Sequence, residues 1–230
     1  MITFREFILK EDSLRQILKT VPQNPERHAE GDVFTHARMV RSRLPHLQKW
    51  FMDEGGKDSS PLSNIDFRLT ESEKKILSMA AWLHDIGKAT ATKWDGRKKK
   101  YSSKGHETRG SYEPQIRRLS GKVKTAYESL SEFESDVLHF IIDHHMSLEH
   151  GSGFDRKIAR QVLDKHGKVK NEIKPKLLVF FIMMDRTGRL RAKDHKPGMD
   201  FEEKQAASLE NMLPQIEDTI RDLRISARKL

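Results

Sequence analysis

Asp185 closes the apolar run Phe180-Phe181-Ile182-Met183-Met184, and no other feature constrains the fold as tightly. A carboxylate ending such a run is expensive to bury unless it is paired or coordinates a metal ion. Leu177, Leu178, Phe180, Phe181 and Met184 recur at a helical period, and Pro175 suits the first turn of that helix, where its missing N–H costs nothing. Three more segments share the design. Val33, Phe34, Ala37, Val40 and Leu44 carry His36, with Asp32 as N-cap. Ile76, Leu77, Ala80, Ala81 and Leu83 run into His84-Asp85. Val137, Leu138, Phe140 and Ile141 run into His144-His145. Thr70-Glu71-Ser72-Glu73 and Ser131-Glu132-Phe133-Glu134 are capping boxes that open the last two helices. No convincing strand-period stretch occurs, although Thr92 to Ser103, with the turn pair Asp95-Gly96, suits a small hairpin. The expectation is an all-α chain in which four helices deliver ligand-type side chains to one centre, three of them near a C-terminal end.

The adjacent imidazole and carboxylate of His84 and Asp85 suit Mn, Fe, Co, Ni, Zn or Mg. Gly87 lets the helix end abruptly, and Lys88 puts a cation beside the pair. His106, in Gly105-His106-Glu107, adds another ligand of the same type. The remaining histidines His28, His46, His139, His150, His166 and His195 have no motif context and are left outside the site.

His36, His84-Asp85 and Asp185, in that order, resemble the HD-domain superfamily of metal-dependent phosphohydrolases. The stretch Leu83 to Lys88, then Gly105-His106-Glu107, then Asp185-Arg186-Thr187-Gly188-Arg189, is similar to the HD domain attached to bacterial tRNA nucleotidyltransferases. His144-His145 resembles the HD nuclease domain of the CRISPR helicase-nuclease. The likeness covers roughly residues 32–189. It departs from the first group in lacking a nucleotidyltransferase domain and from the second in lacking a helicase. The resemblance implies a helical bundle with a metal site at its centre. It also implies two divalent ions, one held by His36, His84, Asp85 and Asp185, the other by His106, His144 and His145 with Asp85 bridging. Such ions clamp a phosphate and lower the pKa of water. Asp85, Lys88 and Glu107 are then the catalytic candidates. Lys88, Arg186 and Arg189 are candidates to meet phosphoryl oxygens.

The chain has 230 residues, enough for one substantial core, and a single domain over 1–230 is expected, with an amphipathic helix over 200–229 carrying Ala206, Leu209, Leu213, Ile216, Ile220 and Leu223. Shorter helices are expected within 111–119 and 155–166, and a loop over 53–66. No Cys occurs, which excludes disulfides and thiolate ligands. Met1 to Lys10 lacks the apolar core of a leader, and no apolar run approaches a membrane span, so a cytoplasmic protein is the expectation. The net charge of +9 favours phosphate-bearing partners. Between Lys88 and His106 lie Lys93, Arg97, Lys98, Lys99 and Lys100 with Trp94 and Tyr101, a composition that suits gripping a phosphate backbone and stacking on a base, and equally a short solvated hairpin. The expected function is phosphoester hydrolysis in nucleotides or nucleic acid, on RNA ends or cyclic phosphates. The alternatives are a single-strand nuclease and a non-catalytic nucleic-acid-binding or ligand-sensing module.

Overall fold

The structure is a computed structural model that describes residues 12–24, 28–55, 61–151 and 154–230. The leader reading of 1–10, and residues 56–60 of the loop expected over 53–66, lie outside the described residues. The chain is mostly helical, with one two-stranded hairpin.

Four helices form the frame: α2 (Val33–Trp50), α3 (Glu71–Leu83), α7 (Glu132–His144) and α9 (Ile173–Thr187). Each starts close to where its sequence signals place it. The Asp32 carboxylate accepts from the backbone N–H of Thr35 at 2.8 Å. Both capping boxes close: Thr70 with Glu73, and Ser131 with Glu134. The two boxes also meet, because Ser72 Oγ donates to Glu134 Oε1 at 2.6 Å and so ties the start of α3 to the start of α7. Glu73 does a second task, pairing with Lys176 of α9 at 2.5 Å. A capping residue thus also fixes the packing of two helices.

α9 is the central helix. Leu177 through Met184 are all buried, as a helix that is apolar around its whole circumference must be. It packs against α2, α3, α7, α8 (Arg156–Val162) and α11 (Met212–Ala227). Its C-terminal residue Thr187 is tied through Arg43 to the segment that follows. The fully buried Arg43 of α2 donates Nε to Thr187 O at 3.0 Å and Nη2 to Gln205 O at 3.0 Å. Gly188 ends α9 where a side chain has no room: an added Cβ would lie 2.7 Å from Val40 Cα and 2.8 Å from Val40 N.

Around this frame stand α1 (Asp12–Lys19), α4 (Lys88–Ala91), α5 (Arg109–Arg117), α6 (Gly121–Glu128) and α8. The helices expected within 111–119 and 155–166 are present, and α1 and α6 add to them; Leu14, Ile17 and Leu18 of α1 fall at helical spacing and pack on the core. Part of the expected loop is structured, since Phe51–Gly55 continues α2 as a π-helical turn. The hairpin pairs β1 (Lys93–Asp95) with β2 (Lys100–Ser102), Trp94 opposite Tyr101.

The single helix expected over 200–229 is instead two, α10 (Phe201–Glu210) and α11, broken at Asn211. Pro214 explains the break: it has no N–H to donate to Glu210 O, and its ring crowds that carbonyl. The break also rotates the apolar stripe. Ile216, Ile220 and Leu223 are buried, whereas Leu213 is 49% exposed. Among the described residues no helix is long and apolar enough to cross a membrane.

Gly188→Ala tests the α2–α9 contact. Gly188 has φ −79°, which alanine adopts freely, so backbone entropy alone would favour the variant. The overlap with the Val40 backbone reverses the sign, and urea denaturation should show a loss of about 1–3 kcal/mol.

Candidate metal centre

Six of the side chains singled out in the sequence meet where the four frame helices converge: His36, His84, Asp85, His106, His145 and Asp185. All six are buried. α2 brings His36 from its first turn, and α3 brings His84 as its C-terminal cap with Asp85 next. α9 brings Asp185 from its last turn, and α7 brings His145 where the α-helix gives way to a 3-10 turn. His106 comes from the loop after the hairpin, stacked against the turn that holds Asp85. Gly87 makes that stacking possible. Its φ of −65° is helical, so the sequence expectation of a conformational role is corrected: glycine is needed because a Cβ would overlap the His106 carbonyl.

The ligand atoms fall into two groups, each with its donors within 4.8 Å of one another: His36, His84 and Asp185, and Asp85, His106 and His145. Asp85 stands between them. Its Oδ2 lies 3.4 Å from His84 Nε2 and 3.8 Å from His36 Nε2, while its Oδ1 lies 3.0 Å from His106 Nε2 and 3.9 Å from His145 Nε2.

Three of the imidazoles are held the same way. His84 Nδ1 lies 3.2 Å from Ala81 O, His106 Nδ1 2.8 Å from Ser103 O and His145 Nδ1 2.8 Å from Ile142 O, each a carbonyl three residues back. These contacts assign the ring proton to Nδ1 and leave the Nε2 lone pair aimed into the cluster. His84 Nε2 is buried with no hydrogen-bond partner. His106 Nε2 and His145 Nε2 face each other at 3.3 Å. Burial, with His84 and His106 beside it, pushes His145 down to about 3, so its ring is neutral. Converging lone pairs beside carboxylate oxygens repel unless a cation lies among them, and this donor set of imidazole and carboxylate is what a divalent transition ion requires.

His36 is arranged differently. Its Nε2 meets Asp185 Oδ1 at 2.9 Å, and its Nδ1 lies 2.8 Å from Glu30 Oε1 at an angle poor for a linear hydrogen bond. Burial disfavours its charged form, but Asp185 and Glu30 outweigh burial and push it up to about 9. A cation at Nε2 would therefore displace a proton. Burial opposes ionisation of Asp85 and Asp185, yet Lys88 holds the first and Arg189 the second well below the usual carboxylate range. Lys88 Nζ sits 2.7 Å from Asp85 Oδ2 and Arg189 Nη2 sits 2.5 Å from Asp185 Oδ2.

The cluster opens to solvent through a cleft of about 390 Å³. Lys88, Lys98, Lys100, Lys104 and Arg189 line it against the two carboxylates of Asp85 and Glu107. Glu107 Oε2 is 3.4 Å from His106 Nδ1, farther than the Ser103 carbonyl that orients that ring.

Three sequence candidates are not at the centre. His144 is half-buried against the Phe140 ring, 4.8 Å between centroids. α7 stays helical through His144, so its side chain points about 100° away from that of His145. Arg186 turns from the cleft to Asp222 of α11 at 2.7 Å and to Leu148 O, locking α9 to its neighbours. Lys99 occupies the hairpin turn at φ 48°, exposed and off the cleft wall.

Sequence reasoning missed Glu30 and passed over His28. Glu30 is buried, 2.9 Å from His28 Nδ1, and its Oε2 accepts from Leu190 N at 3.2 Å. The His28, Glu30 and His36 atoms also come within ligand range of one another. Glu30 Oε1 lies within 2.9 Å of the Nδ1 atoms of both rings, however, on the side of His36 away from Asp185, so it reads as the carboxylate that orients a ligand from behind. Its only sequence signal is a carboxylate just before a capped helix, which is too common to act on. Comparison with protein-family profiles, curated proteins and solved structures finds no match.

Two substitutions probe the supports rather than the ligands. Glu30→Gln should weaken Mn²⁺ binding by roughly 10- to 100-fold in isothermal titration, the usual scale for losing such a partner. Gly87→Ala should weaken it by a similar factor by pushing the His106 loop outward. Gly96→Ala, where an added Cβ meets nothing within 4 Å, should leave the affinity unchanged.

Proposed function

We propose that the chain is a metal-dependent phosphohydrolase of the HD-domain type, acting on phosphoesters of nucleotides or nucleic acid. The observation that carries the reading is the convergence of three backbone-anchored imidazole lone pairs on two ionised, buried carboxylates, at the floor of a cleft walled with cations. A divalent ion bound there supplies Lewis-acid polarisation of a phosphoryl oxygen and a nucleophilic water near neutral pH. His36, His84, Asp85 and Asp185 would hold one ion. His106 and His145 would hold a second, sharing Asp85, whose two oxygens face the two groups separately.

The chain's own side chains do the rest. Lys88 and Arg189 line the cleft beside the carboxylates they neutralise, within reach of a phosphoryl group seated above Asp85. Gln23 Oε1 accepts from Lys88 Nζ at 3.1 Å and fixes where that charge sits. Glu107 on the cleft wall is placed to carry a proton to or from a leaving oxygen. The basic walls favour a substrate with more than one negative charge.

Protein stripped with chelator and reloaded with Mn, Co, Ni, Zn or Mg should hydrolyse a generic phosphodiester or phosphomonoester. Asp85→Asn keeps the volume and the contact with Lys88 but removes the bridging charge, and should lower turnover roughly 100- to 1,000-fold. Far-UV circular dichroism should stay unchanged. A helical collapse would make the metal structural, and metal binding without turnover on any phosphoester would leave a ligand-sensing or nucleic-acid-binding module.

A further inference from the structure

The Lys93–Ser102 hairpin has features that the hydrolytic centre does not explain. An isolated two-stranded hairpin is marginal in water. This one also spends its aromatic residues on solvent: Trp94 is 57% exposed and Tyr101 40%, their rings 5.1 Å apart in an edge-to-face pair across the strands. Among the described residues the other strongly exposed aromatic side chain is Phe133, a single ring, whereas Trp82 lies in the core at 1% exposure. The turn is held from within, because Asp95 Oδ1 accepts from Arg97 N at 3.1 Å and Lys98 N at 3.2 Å. That arrangement fans Arg97, Lys98 and Lys99 outward from a fixed bend. Tyr101, Lys98 and Lys100 also form part of the cleft wall that leads down to Asp85 and His106.

We propose that this hairpin is a base-stacking arm for single-stranded nucleic acid, with Trp94 under a base and the hairpin's cations on the flanking phosphates. An occupant must offer flat π faces and negative charges in alternation along a length greater than the cleft. A single strand does so; a duplex hides its base faces, and an acidic peptide has charge without regular π faces. A base face stacks alike in RNA and DNA, so the arm selects strandedness rather than sugar. The inference deepens the phosphohydrolase reading and rests on it only for the purpose of the strand, not for its binding.

The test uses the full chain in chelator, so that no strand is cut. Trp94 is the exposed tryptophan, so oligo(U) and oligo(dT) should both quench protein fluorescence on binding. Trp94→Ala should weaken that affinity, read by anisotropy of a labelled strand, by roughly 5- to 100-fold, the range of one base–aromatic stack. Trp94→Phe should keep most of the affinity. Trp94→Leu, apolar without a ring, should not, which separates stacking from mere support of the hairpin. Unchanged affinity in Trp94→Ala, or equal binding of duplex or polyglutamate, overturns the arm. Metal-dependent turnover of bis(4-nitrophenyl) phosphate by the unaltered protein, measured in parallel, reports on the hydrolytic reading alone. Trp94-dependent binding without turnover sinks that reading and leaves the arm standing; turnover with Trp94-independent binding does the reverse.

Discussion

Two ionised carboxylates in the middle of an apolar bundle set the terms for the rest of the structure. Asp85 and Asp185 are 3% and 2% exposed, where an uncompensated charge would cost several kcal/mol. Each therefore has a cation a few residues along its own chain, Lys88 for one and Arg189 for the other, on the last turn or just past the helix that carries it. Lys88 is itself buried between Asp85 and Gln23, and Arg189 is partly exposed. Both line the cleft, so neutralising the floor contributes part of its basic wall.

The same constraint decides which histidines belong. A ring beside those carboxylates must present a defined face, and His84, His106 and His145 do so because a carbonyl three residues back accepts a hydrogen bond from Nδ1–H. His144 has the same chemistry and sits one residue away, but its helix turns it onto Phe140. The difference between a ligand and a packing residue is thus set by where α7 stops being α-helical, a boundary worth one residue. Gly87 and Gly188 act at the same level: one lets the His106 loop lie against the Asp85 turn, the other lets α2 lie against the end of α9. Both serve close approach of backbones rather than unusual dihedral angles.

Much of this was legible in the sequence because the signals are local. Asp32, Thr70 and Ser131 mark helix starts by hydrogen bonds within four residues, and Asp185 announces its burial by the apolar run before it. What stayed hidden depends on distant partners. Glu30 acquires meaning only when α2 folds back to place His36 beside it, and its other oxygen is claimed by Leu190, 160 residues away. Arg186 and Arg189 look alike in sequence, three positions apart on α9's end. Arg189 meets Asp185 four residues back, a local spacing, whereas Arg186 meets Asp222 on α11, a partner no local pattern reveals. The break at Asn211 was local, through Pro214, yet the amphipathic period continues across it and masks the stop.

The charges gathered at the centre bear on how its flanking cations serve the proposed chemistry. The three buried carboxylates Asp85, Asp185 and Glu30 face three cations, Lys88, Arg189 and a protonated His36. A divalent ion held by His36, His84, Asp85 and Asp185 would supply positive charge there and would compete with the proton on His36. On the phosphohydrolase reading, Lys88 and Arg189 are then surplus positive charge already positioned at the cleft wall, and an anionic phosphoester is the group that offsets it. Metal and substrate would bind in a favourable sequence because one set of carboxylates first holds the cations in place and then yields its charge to the metal.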